Sequence, residues 1–142
     1  MSVSRIRALL EGHLSAVVAG LKYPLGDILV AWENTPTDRP SLTNVMLVPN
    51  LMPAESDSIS LQQTDVIYQG IFQITAMIPA GHGTRAPEKL ADDIAAAFPA
   101  TLMLRDASGF AVGVSGPASV FNGLATDTGY NIPISVTYRA LT

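Results

Sequence analysis

Cysteine is absent from the 142 residues, which removes disulfides, thiolate nucleophiles and sulfur-ligated metals together. Charge is scarce as well: Asp, Glu, Lys and Arg make up 14% of the chain, against about 25% in a typical soluble domain. Some of the surface is therefore expected to be covered by something other than water. The eight Lys and Arg residues are scattered and the net charge is −4, so the chain lacks the basic footprint of a nucleic-acid binder. No specific nucleic-acid binding is expected. Long apolar runs are missing too. The two longest stretches without Asp, Glu, Lys or Arg, residues 66–84 and 107–126, are interrupted by Gln, Ser, Gly, Pro or Asn, whereas a transmembrane helix needs about 20 mainly apolar residues. Arg5 and Arg7 precede an apolar stretch that ends in Val17-Val18-Ala19, but Glu11, Gly12 and His13 break its middle. An amphipathic helix fits that segment better than a cleaved leader. The expectation is a soluble intracellular protein with no membrane partner, burying surface in an oligomer or assembly.

What is present is periodicity. Val3, Ile6, Leu9, Leu10, Leu14, Val17, Val18 and Leu21 recur at steps of three, four and seven, which predicts an amphipathic helix over about 2–21. Ala8, Gly12, Ala16 and Gly20 form a row of small residues expected to lie close against a sheet or second helix. Strands are predicted at 28–32 and near 45–50, followed by a polar segment over 53–64 read as an exposed loop or arm. The longest alternation runs from Val66 to Ile78, with Phe72, Ile74, Ala76 and Ile78 on one side. A second helix starts near Thr84 to Pro87 and ends at Pro99, with Leu90, Ile94, Ala97 and Phe98 as its apolar face. Strand patterns return over 101–105, 110–115 and 130–141, with a short one at Val120-Phe121. Neighbouring strands predict an α+β fold: a mainly antiparallel sheet with two helices packed on one face. No repeat, low-complexity tract or linker divides the chain, so residues 1–142 are expected to form a single domain.

The search for chemistry finds little. His13 sits inside the apolar stripe of the first helix and reads as a histidine satisfied by a hydrogen bond. His82, in Gly81-His82-Gly83-Thr84 before a helix start, could hold an anion or oxyanion, but the Lys and longer glycine pattern of a phosphate loop are missing. Two glycines that turn a strand into a helix explain it as well. Ser115, in Gly113-Val114-Ser115-Gly116, lacks the second glycine of a nucleophile elbow. Asp92 and Asp93 point about 100° apart on a helix. Glu55 and Asp57 lack the further ligands of a calcium loop. Trp32, Tyr68, Tyr130 and Tyr138 read as core or interface aromatics. No catalytic residue, metal site or cofactor is expected.

Taken in order, several short signatures stand together. They are the N-terminal helix, Trp32-Glu33-Asn34, Tyr68-Gln69-Gly70-Ile71-Phe72-Gln73, Gly81-His82-Gly83 followed by Pro87, then Leu90-Ala91, Ile94 and Phe98, and the closing Ile134-Ser135-Val136-Thr137-Tyr138-Arg139. This series resembles the tail terminator proteins of long-tailed bacteriophages over nearly the whole chain. The resemblance implies a structural, non-enzymatic virion protein of a phage or prophage, present in the host cytoplasm during assembly. It implies a ring, in the related proteins a hexamer, at the head-proximal end of the tail. Its partners would be itself, the tail tube protein and the head-tail connector proteins. Contact residues are expected where the chain is exposed: the arm around Met52, Glu55, Asp57 and Gln62, longer than an ordinary connection, and the turn Arg105-Asp106-Ala107-Ser108-Gly109. The arm is expected to reach a neighbouring subunit or the tube, and the turn the connector. Three alternatives stand beside this reading: a head-completion or other tail-completion subunit, a small ligand-binding or enzymatic α+β domain using His82, and a secreted protein whose mature N-terminus would lie near Gly20.

Overall fold

A computed structural model of the chain describes residues 2–21, 23, 28–33, 45–54, 57–58, 66–79, 81, 83–125 and 129–141. Among them the order is helix α1 (Ser2–Gly20), strands β1 (Ile28–Val30), β2 (Val45–Pro53), β3 (Asp57–Ser58) and β4 (Val66–Pro79), helix α2 (Arg85–Ala96), then β5 (Met103–Arg105), β6 (Ala111–Val114), β7 (Ser119–Val120), β8 (Leu124–Ala125) and β9 (Gly129–Leu141). All the strands belong to one sheet, ordered β1-β2-β4-β9-β6-β5, with β3 on β4 and both β7 and β8 on β9. The fold is α+β and mostly antiparallel, as the periodicities predict.

The alternation along β4 decides which face is inside. Phe72, Ile74, Ala76 and Ile78 are fully buried. Their register partners Leu51, Pro49 and Leu47 on β2, and Val136, Ile134 and Ile132 on β9, are buried with them. Side chains opposite one another share a face in an antiparallel pair, so this side of the sheet is one continuous apolar surface. Both helices contribute to the buried cluster on it: α1 through Ile6, Leu10 and Leu14, α2 through Leu90, Ala91, Ile94 and Phe98. Truncating a side chain as completely buried as Leu10 or Leu14 costs about 2–5 kcal/mol.

Helix α2 begins where Gly81 and Gly83 adopt positive φ values of 86° and 69°, a conformation open to glycine at no steric cost. Its first turn closes through the Glu88 N–H donating to Thr84 O at 2.9 Å. Pro87 falls in that turn, where a backbone N–H has no intrahelical partner to lose. The Ala97 and Phe98 N–H groups close the far end on Ile94 O and Ala95 O, both at 3.1 Å, and Pro99 follows. His13 ties the two helices: its Nε2–H donates to Ala97 O at 2.7 Å, and its ring meets Phe98 edge-on with centroids 4.9 Å apart.

Two expectations need correction, on the row of small residues and on the arm, and two features were not expected, the parallel pairing of β1 and the strand β8. The small residues Gly12, Ala16 and Gly20 are exposed, and a side chain built at Gly12 or Gly20 would meet nothing within 4 Å. That row starts two positions after Ile6, about 200° around the helix from the buried stripe. Strand β1 pairs parallel with β2, beside the antiparallel pairings of the other strands. The segment read as an arm contains β3, which pairs with β4 at Asp57↔Ile67 and Ser58↔Val66. Strand β8 lacks a pattern of its own and exists by pairing with Asn131 and Tyr130 of β9.

Candidate interaction surfaces

The Trp32-Glu33 signature is a structural tie. Trp32 packs partly buried on the core. The Glu33 carboxylate accepts from the Leu51 N–H of β2 and pairs with the Arg7 guanidinium of α1 at 3.1 Å, while Arg7 also reaches Glu11 one turn on at 3.4 Å. Partial desolvation works against ionised Glu33. The Leu51 N–H and the Arg7 guanidinium outweigh it and hold the carboxyl below its ordinary value. Asn34 lies outside the described residues.

The signatures at Gly70 and Tyr138 explain each other. They are register partners on β4 and β9, and Tyr138 is 2% exposed. A Cβ at Gly70 would lie 2.5 Å from Met52 O and 2.6 Å from the Tyr138 hydroxyl oxygen, so the tyrosine ring occupies the space glycine leaves. Gly123 is covered by Tyr130 in the same way, with a built Cβ only 2.2 Å from the ring. These aromatics are packing residues, as the composition suggests.

Of the residues expected at contacts, Met52 stands exposed near the end of β2, and Arg105 is exposed at the end of β5. Glu55, Gln62 and His82 lie outside the described residues, and of Asp57 only the backbone in β3 is described. The turn between β5 and β6 is a hairpin tip, as its sequence predicts, and Asp106 is engaged in building it. Its carboxylate accepts from the Ser108 hydroxyl at 2.6 Å, the Ser108 N–H at 2.9 Å and the Phe110 N–H at 3.0 Å. Those donors, the hydroxyl foremost, hold its pKa below the ordinary value. Arg5, close enough to lower it further, lies over the Phe110 ring.

The face of the sheet turned away from the helices was not singled out by the sequence. Register places Met52, Ile71 and Thr137 in one row across it, and Gln69, Arg139, Gly113 and Met103 in the next. Further along, Leu124 stands opposite Asn131. Of the seven exposed large apolar side chains among the described residues, four are on this face: Met52, Ile71, Met103 and Leu124. Arg105 and Arg139 are its charged members among the described side chains, and no described carboxylate accompanies them. At the opposite end of β9, a groove of about 360 Å³ runs between α2 and the β7–β8 edge, lined by Glu88, Asp92, Val120, Phe121, Tyr130 and Ile132 among others. No described helix is long and apolar enough to cross a membrane.

A family model described as phage tail terminator protein matches residues 5–138. Eight chains of solved structures match this fold. One of them superposes with a TM-score of 0.76 at 31% identity, over 99% of this chain and 96% of its own. No curated protein matches.

Proposed function

Because the chain belongs to the phage tail terminator family, as the match over residues 5–138 shows, we propose that it closes the head-proximal end of the tail tube as a ring, with six subunits as the expected number. The family is a structural one and its role is in phage tail completion. The finer reading is that the ring ends polymerisation of the tube protein and offers its other side to the connector of the head. Residues 1–142 act as one domain in this reading, supported by a buried cluster that draws on both helices and on strands from β2 to β9. The observation that carries the ring is the helix-free sheet face. A chain with 14% charged residues places four of its seven exposed large apolar side chains, among the described residues, on one surface, and such a surface in a soluble structural subunit calls for a protein partner. The expected contact residues Met52 and Arg105 both lie on that face.

The test is polymerisation of purified tail tube protein with and without this chain. The expected result is shorter tubes, each carrying a ring of this protein at one end in electron micrographs. Tube growth to the same length in both reactions, with no density of this chain at either end, would overturn the reading.

A further inference from the structure

The described surface carries two patches that complement each other and lie apart on the same molecule. The first is one end of the helix-free face, where Met52, Ile71 and Met103 are exposed beside Arg105 and Arg139. Neither arginine forms an ion pair among the described residues. The second is the edge built from α2 and β7–β8. There Glu88 and Asp92 are exposed without an ion pair among the described residues, next to the exposed Val120 and Phe121. Arg85, one turn before Glu88 on α2, leaves that patch a net negative charge. From Ile132, which lines that groove, to Arg139 the distance along β9 is roughly 23 Å at about 3.3 Å per residue, so the two patches cannot satisfy each other within one chain.

We infer that these patches are the two halves of a heterologous contact between copies of this chain, with Glu88 and Asp92 of one copy set against Arg105 and Arg139 of the next. The argument for a second copy as occupant is charge complementarity combined with matched apolar content. Each side carries two charges of one sign with no ion-pair partner among the described residues, beside exposed large apolar groups, so contact buries the apolar groups and sets each charge against an opposite one. Two different patches at opposite ends of one subunit make a head-to-tail contact, and such contacts close into rings when the rotation per subunit allows it. This inference rests on the ring reading and adds to it which surfaces meet. Asp106, whose carboxylate is taken up by its own turn, is not part of the contact.

Charge reversal tests it. One variant carries Arg105→Glu and Arg139→Glu, the other Glu88→Lys and Asp92→Lys. All four side chains are exposed, and circular dichroism checks that each variant is folded. Mass is followed by light scattering over a range of concentrations. The wild type is expected to shift from 15.0 kDa toward ring mass, and each variant alone to remain at monomer mass at concentrations at least tenfold higher. An equimolar mixture of the two variants is expected to assemble again, because each acidic patch then meets a basic one on both sides. A wild type that assembles, with either variant assembling equally well alone or with a mixture that stays monomeric, would overturn the inference and leave the ring reading standing. A wild type that stays monomeric throughout would overturn the self-association on which both depend.

Discussion

At Glu33 one carboxylate holds three pieces of chain together: the segment that follows β1, the Leu51 N–H of β2 and Arg7 of α1. Its folded pKa lies below the ordinary 4.5. Ionised Glu33 therefore contributes stability that is fully present above about pH 4.5 and is lost as pH falls through the lower folded value. Glu33→Gln should cost about 1 kcal/mol at neutral pH, after discounting for the solvent that reaches the pair. It should also flatten the decline of stability between neutral pH and the acid limb. Urea midpoints of both proteins from pH 7 to pH 3 check this, and parallel curves would show that the tie contributes nothing. Glu33 was visible in the sequence as part of the Trp32-Glu33-Asn34 signature. Its role was not, because Arg7 and Leu51 come to Glu33 only when the helix is laid on the sheet.

At the scale of elements, β4 and β9 form the spine of the sheet, paired from Ile67↔Leu141 to Pro79↔Gly129. Gly70 sits at the one place along them where Tyr138 crosses the neighbouring strand. Gly70→Ala would drive a methyl group to 2.5 Å from a backbone carbonyl oxygen and 2.6 Å from a buried hydroxyl. A backbone group cannot step aside as a flexible side-chain end can, so the expected cost is about 1–3 kcal/mol. It would be read as a lower urea midpoint with an unchanged slope; an unchanged midpoint would show that the strands separate freely there. The long elements α1, β4, α2 and β9 are legible because each presents a full apolar stripe at its own period. The two-residue strands β3, β7 and β8 are too short to carry a period, and only their hydrogen bonds to β4 and β9 define them. The row of small residues on α1 looked like a packing face and is a solvent face, because the larger stripe of Ile6, Leu10 and Leu14 claims the sheet.

For the whole molecule, sparse charge and a largely apolar sequence raise a question of where the surplus goes. Much of it fills the cluster between the helices and one face of the sheet, and part of the remainder stands on the opposite face. Self-association should accordingly follow mass action and respond to salt, since the charges proposed to meet are exposed in the free subunit. Raising sodium chloride from 50 mM to 500 mM, roughly a threefold shortening of the Debye length, should move the midpoint of assembly to higher protein concentration. A midpoint independent of salt would assign the contact to apolar groups alone.

By itself the sequence determined the class of fold, the identity of the long elements, the alternation along the long strands and the family to which the chain belongs. It also indicated that surface would have to be covered, from how little charge the chain carries. The tertiary structure decided what stands beside what: Glu33 under Arg7, Tyr138 across Gly70, Arg139 in one row with Met103, and Glu88 at the edge where Phe121 emerges. The physical reason is that periodicity along a chain is a local property, set by the geometry of a single helix or strand. A surface patch is a property of register between strands far apart in sequence, and it comes into being when they pair.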